Sequence, residues 1–290
     1  MSQKLVCKNK NCPGKVHKSG HFVRYSDGAF VKRFRCSRCR LTFSQATFSP
    51  CYRQKKRHLN YKILLHMSSC ISQRRTALLL NVNKNTVEKK FHFVAQFCKD
   101  KNIEFNEDYT KNKCTEVFTD EMEDRVHTKC KPVAIALMVT PDRKILGHTV
   151  SSIKPKNKKL REICHKKYPE WRDHSRKNFK ALLERMVPLF ESHVKIISDE
   201  KPMYSQEIKK IFTHATHERH KSRRATVAGQ GELKEGGFDP LFPLNHTCAM
   251  LRANINRLIR RSWCTSKKLE NLSKHIEIYI YFHNTVLTAK

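Results

Sequence analysis

Two pairs of cysteines constrain this chain more tightly than any other feature. "CKNKNC" supplies Cys7 and Cys12, and "FRCSRC" supplies Cys36 and Cys39, beginning 24 residues after Cys12. Each pair closes a tight knuckle, and two knuckles can place four thiolates tetrahedrally around one Zn²⁺. The intervening "HFVRYSDGAFVKRFRC" alternates aromatic and polar residues around Asp27-Gly28, which reads as a β-hairpin. So small a module has too little core to fold alone, so the metal would supply its stability. Residues 1–50 are therefore expected to be a zinc ribbon with Cys7, Cys12, Cys36 and Cys39 as ligands. His17 and His21 could replace a thiol, but four thiols are already present. Arg33, Arg35, Arg38 and Arg40 flank the second knuckle and suggest phosphate contacts.

The other eight of the 12 cysteines are scattered singly. Cys98, Cys114, Cys130, Cys164, Cys248 and Cys264 read as reduced packing thiols of a cytosolic protein, not as a disulfide framework. The chain carries 59 Lys and Arg against 26 Asp and Glu over 290 residues, a formal charge of +33, so a polyanionic partner is the first expectation. A hydrophobic content of 39% is enough for packed cores and argues against wholesale disorder. No apolar run is long enough for a membrane helix, and "MSQKLVCKNK" lacks a signal-peptide pattern, so membrane insertion and secretion are not expected.

Residues 51–108 read as helical. "LNYKILLHM" carries the stripe Leu59, Ile63, Leu64 and Met67. Ser72 can cap a helix containing Thr76 to Leu80. Asn81-Val82-Asn83 makes a turn, and Asn83 can cap a second helix through Val87, Phe91 and Val94. Two short helices joined by a three-residue turn suit a helix-turn-helix, in which Lys84, Asn85, Thr86, Lys89 and Lys90 would face the DNA major groove.

Residues 109–290 carry the acids. Eight of the 26 fall between Glu104 and Asp124, the local negative patch that a divalent cation needs. "CTEVFTDEMED" predicts a strand ending at Asp120, and "KPVAIALMVT" and "KILGHTVS" predict two more. A helix over "RKNFKALLERMVPLFESH" precedes a fourth strand, "VKIISDE", ending at Asp199. Pro202 opens another helix, "THATHE" reads as a fifth strand, and a basic glycine-rich loop leads to a closing helix, "LNHTCAMLRANINRLIRR". That order is the order of an α/β, ribonuclease-H-like domain, in which the first and fourth strands lie side by side. Asp120 and Asp199 would then meet despite lying 79 residues apart. Two carboxylates in one site repel unless a cation lies between them. Mg²⁺, or Mn²⁺ in its place, would activate a water or a 3′-hydroxyl for phosphodiester transfer.

The succession of zinc ribbon, helix-turn-helix and "TDEM…ISDE…LNHTCAMLRANINRLIRRSW" resembles the transposases of insertion sequence 1 and the related insertion sequence 1595 group, over essentially the whole chain. "DEM" at 120–122 matches the first catalytic aspartate of those families and "SDE" at 198–200 the second. Their closing helix places a third ligand seven residues before a basic residue that precedes a pattern like "RL-RRS…SK". Here Arg252 fills the basic position and "RLIRRSWCTSK" follows, so the third ligand falls on Asn245, where many relatives carry glutamate. Part of the insertion sequence 1595 group is similar to this chain in using asparagine there. An amide oxygen ligates Mg²⁺ without adding charge, so the site would hold metal less tightly or recruit an acid from Glu121, Glu123, Glu232, Glu235 or Asp239. Arg252 lies two helical turns beyond Asn245 and would contact phosphate near the scissile bond. Arg257, Arg260 and Arg261 would grip flanking backbone, or form a solvated face.

The resemblance implies a DNA transposase that binds the terminal inverted repeats of its element, cuts with water and joins the freed 3′-hydroxyl to target DNA. Its partner would be double-stranded DNA, with a homo-oligomer pairing two ends, in a bacterial or archaeal cytoplasm at the nucleoid. Two rivals fit the charge: a decayed or domesticated transposase that binds DNA without cutting, favoured by Asn245, and an RNA-binding protein, which leaves the two acids unexplained.

Overall fold

The computed structural model describes residues 5–25, 27–221, 239–259 and 265–288. The chain forms two compact units, Met1–Lys62 and Ile63–Lys290. The boundaries expected at 50 and 108 do not coincide with this division.

The first unit holds a three-stranded antiparallel sheet in chain order: β1 (Val16–Val23), β2 (Phe30–Cys36) and β3 (Thr42–Ser44). The hairpin forms where the alternation predicts it. Gly28 takes φ 66° in the turn, and Asp27 is paired with Arg24. Apolar packing inside this unit is slight: Phe34 and Phe43 lie against Cys7 and Cys36. Among the described residues of the unit, Val31 and Leu59 are the other buried apolar side chains, a small core for some sixty residues, so the cysteine cluster contributes to the fold.

The division between the units falls within α1 (Leu59–Met67). In the second unit α2 (Gln73–Leu79) and α3 (Lys84–Lys111) begin at the expected caps: the Arg75 amide donates to Ser72 Oγ at 3.3 Å and the Asn85 amide to Asn83 Oδ1 at 2.8 Å. Asn81 takes the left-handed conformation, φ 47°, that turns the chain between them. α3 is far longer than the short helix the caps suggest, because its stripe of Val87, Phe91, Val94, Ala95 and Cys98 packs along a C-terminal helix. That partner, α8 (Leu269–Phe282), has no counterpart in the expected element order, although Leu272, Ile276, Tyr279 and Ile280 mark its buried face. His275 Nε2 meets the Met67 carbonyl at 2.7 Å, tying the end of α1 to α8.

A mixed five-stranded sheet, ordered β6-β5-β4-β7-β8, forms the centre of this unit. β4 (Cys114–Arg125), β5 (Pro132–Val139) and β6 (Ile145–Ser152) are antiparallel neighbours, whereas β7 (Phe190–Asp199) runs parallel to β4, and β8 (Thr216–His220) parallel to β7. Strand alternation divides the core in two. Phe118, Met122, Ile135, Leu137 and Ile197 face α7 (Phe242–Asn254) and α8. Val117, Ala136, Met138 and Ile196 face α5 (Ser175–Met186) and α6 (Pro202–Ile211).

Four expected boundaries move. β4 does not end at Asp120; it continues to Arg125, because Asp120 to Arg125 pair with Leu137 to Pro132 of β5 and Met122 is still a core position. The helix expected over 176–193 stops at Met186, since Pro188 cannot donate to a helical carbonyl, and β7 begins at Phe190. The basic stretch at 154–175 contains a helix, α4 (Lys158–Lys167), capped by Asn157. The closing helix ends at Asn254, where Ile255 turns to extended geometry so that Ile255 and Leu258 both reach the core. The glycine-rich basic loop at 222–238 lies outside the described residues, as do Arg260, Arg261, Trp263 and Cys264. Among the described residues no helix is long and apolar enough to cross a membrane.

Candidate functional site

In the first unit Cys7, Cys12, Cys36 and Cys39 converge, with all four sulfurs within 4.8 Å of one another. Cys7 Sγ lies 3.5 Å from Cys39 Sγ, and Cys12 Sγ 3.7 Å from Cys36 Sγ. Four thiolates each about 2.3 Å from one ion stand about 3.8 Å apart, so the cluster has the dimensions of a tetrahedral metal site. Backbone amides of Cys39 and Arg38 aim at Cys36 and pull its thiol down to about 6, while burial pushes the Cys7 thiol up to about 12. Gly14 is required by the packing of this cluster: a Cβ there would lie 2.6 Å from Cys36 Sγ and 2.7 Å from Arg38 Cβ. The four cysteines can therefore hold a metal ion such as zinc. His17 and His21 stay outside, His21 stacking on Phe30 at 4.1 Å. Arg33, Arg35, Arg38 and Arg40 are all exposed.

On α3, Lys84, Asn85 and Lys89 are exposed and Thr86 is half-buried. Lys90 corrects the expectation: it is only 5% exposed and cannot face a groove. It follows Val87 by three residues and precedes Val94 by four, which puts it on the buried stripe.

Asp120 and Asp199 are neighbours. The parallel register runs Phe118 to Ile197 and Thr119 to Ser198, so the next step sets Asp120 beside Asp199. Both share the strand face of Phe118, Met122 and Ile197, the face that α7 covers. Burial pushes the Asp120 carboxyl up to about 6, and the charge of Asp199 adds to the effect. The hydroxyl of Tyr204, buried in the first turn of α6, donates to Asp120 Oδ1 at 3.0 Å, and the Glu121 amide donates to the same oxygen at 2.6 Å. The Lys201 amide donates to Asp199 Oδ1 at 3.0 Å, while the Lys201 ammonium pairs with Glu121. Each aspartate thus has one oxygen fixed by the α6 entry or the strand backbone.

Alternation along β4 sends Glu121 and Glu123 to the opposite face, where Glu121 meets Lys201 and Glu123 meets Lys156 at 2.9 Å. Among the described residues no third carboxylate, imidazole or thiol joins Asp120 and Asp199 in a cluster of metal-binding size. Glu232 and Glu235 fall outside those residues.

Asn245 and Arg252 both lie on α7, which packs on β4 and β5. Between them Cys248 reports where that face points. Its thiol is pushed up to about 12 by burial and then by the charge of Asp120, with Arg252 acting in the opposite direction. Leu241 is the helix cap, so Asn245 stands inside the first turn and does not serve as the cap. Asn245 Nδ2 donates to Asp239 Oδ2 at 3.0 Å, and Asp239 Oδ1 accepts the Leu241 amide at 2.9 Å. Asp239 therefore fixes both the entry of α7 and the orientation of the Asn245 amide. His246 approaches Arg143, with 3.4 Å between Nδ1 and Nη1. Arg257 departs from the expected phosphate contact: it lies beyond α7, packs over Phe91 at 5.5 Å and donates to Ser266 Oγ at 3.0 Å.

Sequence reasoning missed Tyr204 and Lys201. The available signal was their place directly behind the acid-ended strand, in "SDEKPMY", where the Pro202-initiated helix must turn its first side chains toward the strand end. No protein-family model and no curated protein matches this chain.

Proposed function

We propose that the chain is a DNA transposase whose second unit contains a ribonuclease-H-like catalytic centre formed by Asp120, Asp199, Asn245 and Arg252. The observation that carries this reading is the parallel pairing of β4 with β7, which sets two buried-face aspartates side by side beneath α7. The strand order β6-β5-β4-β7-β8, three antiparallel strands followed by two parallel ones, with helices on both faces, agrees with such a domain.

The aspartates suit Mg²⁺ because burial and mutual repulsion already raise Asp120, a strain that a bound cation relieves. Bound there, Mg²⁺ or Mn²⁺ would lower the pKa of the attacking water or 3′-hydroxyl and offset charge on the leaving oxygen. The residues themselves do the positioning. Tyr204 and the Lys201 amide each hold one oxygen of a carboxylate. Asp239 takes the Asn245 amide hydrogen, which leaves the amide oxygen as the ligand atom. Arg252, seven residues further along α7, would anchor the phosphate beside the acids. With Asp120 raised to about 6, its carboxyl is mostly ionised at neutral pH and takes up a proton on mild acidification. The cysteine cluster would be a zinc ribbon, and the exposed Lys84, Asn85 and Lys89 with Thr86 would read the element ends. Two ends must be held together, so the reacting species is at least a dimer on DNA.

The rival, a sequence-specific DNA-binding protein without cleavage, draws on one observation: Asn245, the third residue of this reading, is an amide, and no third acid among the described residues joins Asp120 and Asp199. Strand cleavage and transfer with purified protein, Mg²⁺ or Mn²⁺ and DNA flanking its own gene decide between them. Joined products that disappear in Asp120→Ala and Asn245→Ala support the transposase. Binding without cleavage under either metal supports the rival.

A further inference from the structure

A cleft of about 560 Å³ in the second unit opens between the start of α2, the start of α3 and the chain that follows α7. Arg74, Lys84, Arg257 and Lys267 line it, with Ser72, Gln73, Asn256 and Thr265 as neutral hydrogen-bonding groups, and no carboxylate. Arg74, Lys84 and Lys267 are exposed, and among the described residues none of the three is in a salt bridge. Arg257 is already committed to Ser266 and Phe91, so it contributes fixed positive charge at the back of the cleft and no reach. Glu88 is the acid whose charge it feels, and Glu88 does not line the cleft. The first amides of α3 add a positive dipole end beside Lys84. Three unpaired cations in a concave site cost repulsion unless an anion occupies it.

We propose that this cleft holds consecutive phosphates of a nucleic-acid backbone. One strand would then be gripped jointly by the capped helix pair and by the segment that continues from α7, so that engaging DNA on α3 also fixes the helix that carries Asn245 and Arg252. The proposal rests on the nucleic-acid-binding part of the reading above and is independent of whether the aspartates cut.

The test is equilibrium binding of the full-length, zinc-loaded protein to a 30-base-pair duplex over a range of salt, for wild type, Arg74→Gln/Lys267→Gln, and a control, Lys166→Gln/Lys167→Gln on α4, that removes the same charge elsewhere. Thermal unfolding checks that each variant is folded. Each backbone contact contributes about 0.9 to the slope of log affinity against log salt, so the cleft variant should lose about 2 from the slope and at least tenfold in affinity, with the control close to wild type. Equal losses in the two variants would overturn the proposal in favour of a diffuse charge effect. Inorganic tripolyphosphate distinguishes the source of phosphate. Micromolar binding that the cleft variant abolishes, with duplex affinity unchanged, would assign the cleft to a free polyphosphate and overturn the backbone reading. Strand-transfer activity does not enter this outcome, so failure of the catalytic reading leaves the test intact.

Discussion

Asp120→Asn should stabilise the metal-free protein while removing its chemistry. In the folded chain Asp120 is raised from 3.8 to about 6, by burial first and by Asp199 second. The sign follows from linkage. A carboxyl raised on folding is equally tolerated in both states below about pH 4, then weakens the fold progressively as pH rises through about 6, after which the deficit is constant. About two pKa units at 1.36 kcal/mol each give an upper value of about 3 kcal/mol, and partial solvent screening reduces it to about 2. Asparagine preserves the shape and still accepts the Tyr204 hydroxyl, so the repulsion is removed without a cavity. For a unit of this size about 2 kcal/mol corresponds to a melting shift of about 4–8 °C. Thermal unfolding of both proteins, followed by circular dichroism from pH 4 to 8 in buffer free of Mg²⁺ but without chelator, reads it directly. The curves should coincide near pH 4, with the variant higher at pH 7. Millimolar Mg²⁺ should then raise the wild type and leave the variant unmoved. Equal melting temperatures at pH 7, or a gap that ignores pH, would refute the reasoning.

Three further outcomes are expected. Tyr204→Phe removes a hydrogen bond that favours ionised Asp120, so the acid limb of any cleavage-rate profile should move to higher pH with the plateau retained; an unmoved limb would show that the hydroxyl does not tune the acid. Gly14→Ala drives a methyl into Cys36 Sγ, so zinc content by mass spectrometry should fall well below one ion per chain, with loss of order in the first unit and the second unaffected. Lys89→Ala should weaken DNA binding severalfold and flatten its salt dependence by about one contact, whereas Lys90→Met should leave affinity within twofold of wild type, which filter binding distinguishes.

Local chemistry was legible where it alone decides the structure. Ser72 and Asn83 were readable as caps because capping needs only a short polar side chain at a helix start, and both are caps. Two cysteine knuckles on a hairpin likewise specify their own convergence. What failed depended on distant partners. The continuation of β4 beyond Asp120 is decided by β5, which pairs with it through Arg125, and the length of α3 is decided by α8, some 175 residues away. Lys90 was misplaced for the same reason. A lysine in a basic stretch reads as solvent-facing until the stripe of Val87, Phe91 and Val94 is drawn as one face packed on another helix. Tyr204 had only its place behind the acid-ended strand to mark it, and the register of β4 against β7 is what brings an aspartate to its hydroxyl.

The asparagine on α7 carries the last consequence. A glutamate or aspartate at 245 would add the missing negative charge and so suggests itself as the simple repair. Asp239 makes that repair unfavourable here. Its Oδ2 lies 3.0 Å from Asn245 Nδ2, and the amide donates to it. Asn245→Asp would replace the donor by a second carboxylate, and two unit charges at that distance repel by on the order of 5 kcal/mol at an effective dielectric near 20, before protonation or movement relieves them. Asp239 is also held by the Leu241 amide, so it cannot withdraw without loosening the entry of α7. Asn245→Asp should therefore melt lower than wild type at pH 7 without Mg²⁺ and recover as pH falls toward 4 and the new pair takes up a proton. In a strand-transfer assay Asp239→Ala should reproduce most of the loss seen in Asn245→Ala, and the double variant should add little, because the two residues act as one hydrogen-bonded unit. If Asn245→Asp melts as high as wild type and transfers strands faster, the amide is a defect that the site tolerates and Asp239 plays no part in orienting it.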